Sequence, residues 1–470
     1  VAAIKVTNIS GLNLYLNPLL KSDGELLRAV NVESYPLGAK RKRSGYIKYL
    51  GTADGSAPTT LFSWTKNDGT TLFNYRASGT QLYYSKQGTA AWAACGNGGL
   101  GAGAHVGHAV LDDTLIIGDG VGSTRHTTNG TSFTNTTLAP VGEFFAQYQN
   151  RIYIGGTSST LFYSTTGDAT NWSGEGTADS SSLSIPGAGK INSVIKCNDR
   201  LVTTKNSGLM FRWDGYSLVD ISTNLGPASP YSVDSVEGYY FWLNRLGHFG
   251  YGGDKPQLLS NAIQPQIYND AGEGIAGTAF TTAPGGVHRY DYLLSIGTVT
   301  DDITDLTVKD AILKYNYQKN EYLNYQFSHF PTAYHSFKNS AGNQQLIFGA
   351  AGGQCYTTSG TALTDDGDVI ASEMEFAIHL GVPHLEKKWN WVWAFFNPGC
   401  QAQVQVAIGN TYRKEGKRWE GAGDASSGLL KFRFPANSRG NFLFVKMKEA
   451  SKDARFNFYG FVVSADEIQR

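Results

Sequence analysis

A degenerate phrase recurs about every 40 to 50 residues along this 470-residue chain, and it limits what the chain can fold into. Each copy reads as a strand, a glycine break, a second strand and a tight Ser/Thr-Gly turn. The clearest runs Arg151-Ile152-Tyr153-Ile154, Gly155-Gly156, Thr160 to Ser164, Gly167 and Trp172. An earlier copy runs Thr71 to Tyr75, Gly79, Gln81 to Ser85, Gly88 and Trp92, and others start at Thr114, Arg200, Tyr239, Tyr290 and Gln345. Hairpin-built units of this size fit the blades of a β-propeller, whereas solenoid repeats are typically smaller. The seven starts predict about seven blades. A blade packs both faces against its neighbours, so alternate residues must be apolar, aromatic rings fill the wedge away from the axis, and glycines supply positive φ in the turns.

The phrases Ser85-x-x-Gly88-x-x-Trp92 and Ser164 to Trp172 resemble the Asp-box turn of sialidase-type propellers without its aspartate. They read as folding elements on blade edges rather than catalytic groups.

Composition agrees with an all-β chain: 56 glycines and 13% aromatic residues beside three methionines mark many short strands joined by tight turns. The 39 basic and 39 acidic residues give no net charge, which argues against gripping nucleic acid through the whole surface. It leaves room for a channel past which DNA slips. Cys95, Cys197, Cys355 and Cys400 form no Cys-x-x-Cys pair and are expected to be free thiols in a reducing cytosol. No apolar run reaches the length of a membrane helix, and Val1 to Lys5 lacks the apolar core of a signal peptide, so a soluble chain without a membrane anchor is expected.

Three domains follow from where the phrase starts and stops. Residues 1–51 lie outside the repeat. There Ser22 and Glu25 have the spacing of a capping box, and Leu26, Leu27 and Val30 give a short helix one apolar face; a basic strand, Lys40 to Arg43, follows. Residues 52–364 form the propeller. In residues 365–470 longer alternating strands appear, as in Gln401 to Ile408, where every even position is apolar. They predict an appended β-sandwich.

Both ends carry a resemblance. Asn17-Pro18-Leu19-Leu20, Gly24-Glu25, Ala29-Val30-Asn31-Val32 and Arg41-Lys42-Arg43-x-Gly45-Tyr46 resemble the N-terminus of bacteriophage tail and virion propeller proteins, the nearest group being the short-tail nozzle (tail tubular protein B) family. Gly381-Val382-Pro383, Glu386-Lys387-Lys388-Trp389 and Phe456 to Phe461 look similar to the same proteins. The resemblance implies a structural virion protein, assembled in the host cytoplasm into the tail as a hexamer around the DNA exit path. It would dock adaptor or portal proteins and tail fibres or spikes, while genomic DNA passes transiently. A receptor- or glycan-binding propeller at the tail tip is the alternative. A glycosidase comes third, because no paired-carboxylate motif is present.

Weighed residue by residue, the chain offers no defensible catalytic, cofactor or metal motif. Asp365, Asp366 and Asp368 lack the spacing and bidentate glutamate of a calcium loop and read as a polar boundary turn. Asp301, Asp302 and Asp305 read as a solvated insertion. His105 and His108 are three apart and sit beside a glycine-rich connector, Gly96 to Gly103, that has no phosphate-loop lysine. Interface candidates are Arg41, Lys42 and Arg43, together with Trp389, Trp391 and Trp393, whose alternate positions share one face of a strand. That stripe reads first as sandwich core, next as a subunit interface and third as a platform for stacking sugars. Lys414, Lys417 and Arg418 are candidates for contact with passing DNA, balanced by Glu415 and Glu420.

Overall fold

The computed structural model describes residues 2–14, 21–35, 38–86, 91–173, 179–267, 274–275, 277–301, 306–339, 341–410 and 420–468. It is all-β, as expected. Six four-stranded antiparallel meanders follow one another along the chain. They begin at Pro58–Thr65, Gly107–Leu111, Phe144–Tyr148, Ile191–Cys197, Asp234–Val236 and Gly285–His288. These first strands stand side by side around an axis, and Pro331–Lys338 closes the ring by packing against Pro58–Thr65. The sequence phrase falls on the second strand of each unit, as at Leu72–Ser78, Thr114–Gly118 and Arg151–Gly155. The expected count of seven blades is therefore corrected to six blades contiguous in sequence, with a composite sheet closing the ring between the last and the first.

The closing sheet takes Pro331–Lys338, Gln344–Ala350 and Cys355–Thr358 from the end of the repeat region. Its next strand comes from the N-terminal segment, whose five strands are β1 (Ala2–Val6), β2 (Leu26–Val30), β3 (Val32–Ser34), β4 (Lys40–Lys42) and β5 (Tyr46–Lys48). β5 pairs antiparallel with Cys355–Thr358, Tyr46 opposite Thr358 and Lys48 opposite Tyr356. Tyr46 is buried in an aromatic cluster, 5.0 Å from Phe348, 5.1 Å from Tyr356 and 5.2 Å from Phe327. The ring is thus held shut by residues more than 300 positions apart.

Close blade packing also explains glycines that turns do not. A Cβ on Gly107 would lie 1.9 Å from the carbonyl oxygen of Glu143 in the next blade, so only glycine fits that innermost strand.

The expected helix after Ser22 is instead the strand β2. The box residues do interact, Glu25 Oε2 accepting from the Ser22 amide at 2.7 Å and the Glu25 amide donating to Ser22 O at 3.1 Å, but they close a turn. Beyond it the chain enters a slot between Glu321–Gln326 of the sixth blade and Ser372–Ile378, pairing with both. Two open strand edges, each with unpaired amides and carbonyls, outweigh a weak helical preference.

The expected separate C-terminal sandwich is corrected in the same way. One of its sheets is built from β3, β4, Asn457–Glu467, Lys387–Phe396 and Leu429–Arg433, with β1 also on Asn457–Glu467. The other runs from the sixth blade through β2 and Ser372–Ile378 to Phe442–Glu449, Gln403–Gly409 and Glu420–Asp424, nine strands in all. Residues 365–470 alone supply neither sheet completely. The core between them joins Leu26 and Val30 to Phe376, Val392, Val445, Phe458 and Val463 in a cluster that continues into the sixth blade at Tyr292 and Leu313.

Candidate functional surfaces

The basic run is not a surface. β4 pairs with β3 and with Asn457–Glu467, which places alternate side chains in the interior. Lys42 Nζ meets Glu449 Oε2 at 2.8 Å with both side chains fully buried. Arg43 grips Asp365 with two hydrogen bonds of 2.7 and 2.5 Å, donates to Asn31 Oδ1 at 2.8 Å and to Gln326 O at 2.8 Å, and lies over the Phe327 ring at 4.5 Å. Lys40 pairs with buried Glu321 of the sixth blade. Only Arg41 faces outward, 30% exposed and paired with Glu33 at 2.6 Å. The assignment of Lys42 and Arg43 as interface candidates is therefore corrected: they clamp propeller to sandwich. Asp365, weighed above as a calcium donor, is the Arg43 partner; Asp366 adopts φ 51° in the following turn.

The tryptophan stripe is split. Lys387–Phe396 pairs with Asn457–Glu467 through a bulge in which Asn390 is the extra residue, Trp389 facing Ala465 and Trp391 facing Ser464. A bulge shifts the alternation by one. Trp389 thus enters the core beside Val392 and Ala394, its indole N–H donating to Gly440 O at 3.0 Å. Trp391 and Trp393 emerge on the opposite face, ring centroids 4.8 Å apart. The expectation that all three share one face fails at that single inserted residue.

Sequence reasoning missed the propeller axis. His105, Tyr231 and Glu143 each precede the innermost strand of a different blade, so they gather at the mouth where those strands begin. The His105 ring stacks on Tyr231 with centroids 3.3 Å apart, and Tyr231 Oη donates to Glu143 Oε1 at 2.9 Å. Farther in, His335 Nε2 and Ser63 Oγ lie 2.8 Å apart, His288 Nδ1 and Ser336 Oγ 2.9 Å apart, and His108 stacks on Phe62 at 4.2 Å. These contacts join successive innermost strands. The linear sequence carries no signal for them, because the partners come from different blades.

Burial pushes His105, His108 and His288 down to about 4, and His335, which also faces His108, down to about 3. His248, fully buried and stacked 4.7 Å from Tyr292, is likewise held at about 3. Their folded pKa values lie below that of free histidine, so the unfolded chain takes up protons first as pH falls. Stability is expected to be unaffected above pH 6.5 and to drop between pH 6.5 and about 4. The slope is at most about 1.4 kcal/mol per pH unit for each histidine. Asp234, raised to about 6 by burial, acts oppositely over part of that window and offsets roughly one of them. Urea unfolding at pH 7, 6 and 5 measures the slope, and the double variant His108→Asn, His335→Asn should flatten it.

Lys414, Lys417 and Arg418 lie outside the described residues, as do Glu415, Asp302 and Asp305; Glu420 opens an exposed edge strand. All four cysteines are buried and free. Among the described residues no group of three or more His, Cys, Asp or Glu side chains is placed to hold a metal, and no helix is long and apolar enough to cross a membrane.

Fold and surfaces together define a β-propeller whose ring is closed by the N-terminal segment and interlocked with a β-sandwich. No protein-family model matches the chain, and no curated protein matches it. Among solved structures it is similar to YCF48 from Cyanidioschyzon merolae, with 10% identity over 67% of this chain and 98% of that one and a TM-score of 0.43. The Pan2 WD40 domain of Neurospora crassa is similar at 6% identity over 66% and 94%, TM-score 0.42, and BamB from Moraxella catarrhalis at 10% over 77% and 97%, TM-score 0.41.

Proposed function

We propose that the chain is a structural protein of a tailed-bacteriophage virion, one of several copies that build the short tail around the DNA exit path. The observation that carries this reading is where the tail-like motifs meet. Ala29 to Val32, Arg41 to Tyr46 and the strands around Trp389 and Phe456 to Phe461 are far apart in sequence but form one buried unit, with Lys40 paired to Phe458 and Arg43 clamped to Asp365. A clamp of this kind suits a part that transmits load.

The stacked His105–Tyr231 pair obstructs one mouth of the propeller's own axis, so passing DNA would run between copies, along the common axis of a ring. Electron cryo-microscopy of virions assembled with and without the protein tests this: density for it in a ring about the tail axis is expected, and intact tails lacking that density would overturn the reading. The assignment as a non-enzyme is checked separately. Purified protein is expected not to turn over host polysaccharide, and turnover abolished by one Asp or Glu substitution would place it among the glycosidases.

A further inference from the structure

The outward face of the sandwich bears a site that the tail role does not require. Trp391 and Trp393 stand side by side there, and the adjacent strand sets Arg433 directly opposite Trp391 and Lys431 directly opposite Trp393. The Lys431 ammonium lies 4.8 Å from the Trp393 ring, and both cations are exposed. Lys388 lines the same open cleft of about 620 Å³. Asp466, the acid across from Lys388, accepts from the Asn390 amide at 3.2 Å.

These side chains form a ladder of two rungs, each with one aromatic ring and one cation. Backbone positions two apart on a strand repeat every ~6.7 Å and neighbouring strands are ~4.8 Å apart, while the two indole rings lean together to 4.8 Å between centroids. A matching polymer must carry, in every repeat, a flat ring and a negative charge displaced sideways from it. We propose that this face binds single-stranded nucleic acid. In a nucleotide the base and the phosphate are separate groups joined through the sugar. The base can therefore stack on an indole while the phosphate reaches the cation one strand away. In a polymer of uronic acids the carboxylate is borne by the ring itself and does not span the two rows. A duplex presents its bases already stacked on one another and satisfies only the cation row. With two rungs the site holds about two nucleotides, so binding is modest and weakens with salt.

The test is a titration of the full chain with fluorescein-labelled oligo-dT, with a duplex of equal charge and with polygalacturonate, reading anisotropy and intrinsic tryptophan quenching. Oligo-dT is expected to bind at least tenfold more tightly than the other two and to quench tryptophan emission. Trp391→Ala and Trp393→Ala should each weaken it about tenfold. Lys431→Glu with Arg433→Glu should also weaken it and lower the slope of log affinity against log salt by about 1.4, two phosphates' worth for a single strand. Trp391→Phe, which keeps a ring, should restore most of the binding and covers the case in which an alanine variant fails to fold. Equal binding of all three polymers would reduce the face to a patch of charge, a preference for polygalacturonate would make it an acidic-glycan site, and unchanged binding by the tryptophan and double-charge variants would place the ligand elsewhere. Each of these results overturns the proposal.

Discussion

Lys42→Glu together with Arg43→Glu is expected to abolish folding of the chain. Each substitution removes one partner of a fully buried ion pair and sets a second carboxylate against the first, Glu449 in one case and Asp365 in the other. Breaking a buried pair costs about 3–5 kcal/mol because the remaining charge has neither water nor a counter-ion. Two such losses, with like-charge repulsion added, match or exceed the ~5–15 kcal/mol that holds a typical domain folded. Arg41→Glu, at the half-exposed position just before them, should cost less than about 1 kcal/mol. Replacing both members of one pair, Arg43→Met with Asp365→Leu, should recover much of the loss because no lone charge stays behind. Soluble yield and urea unfolding of these three variants measure the effect. A double variant as stable as the parent would mean that β4 does not lie in the core.

Cutting the chain near residue 366 is expected to leave two fragments that do not fold alone and that recover solubility when co-expressed. The end of the repeat there suggests a boundary between independent domains, but the structure crosses that point repeatedly. The 367–470 fragment loses β1 and β4 from the side of Asn457–Glu467 and β2 from the side of Ser372–Ile378. The 1–366 fragment keeps those strands with their apolar faces uncovered and loses the Lys42 partner Glu449. Exposed strand edges and apolar faces of this extent favour aggregation. Two separately soluble fragments with cooperative melts would show instead that the interlock adds little to either part.

Much of this architecture is legible in the linear sequence, and for a local reason. A blade is made by strands adjacent in the chain, so its alternation, its glycine breaks and its turn residues repeat within a short window. The copies at Thr71, Thr114 and Arg151 all mark second strands of real meanders. The half-buried strand at Gln403–Gly409 shows itself in the same way, with Val404 and Val406 buried between outward-facing glutamines.

The rest depends on partners that the chain supplies from far away. Leu26 to Val30 has a helical pattern of apolar residues, and becomes a strand because Glu321–Gln326 and Ser372–Ile378 each offer it an unpaired edge. Arg41-Lys42-Arg43 reads as a basic surface until the pairing of β4 turns Lys42 inward onto Glu449 and the chain just past it carries Arg43 onto Asp365. Trp389, Trp391 and Trp393 share a face in an ideal strand; one bulged residue, Asn390, sends the first into the core and leaves the others outside. The axial histidines have no linear pattern at all. Local periodicity is written by short-range sterics and solvent exposure and so survives in one dimension. Which edge is open, which charge meets a counter-charge and where a register slips are settled only when distant strands pack together.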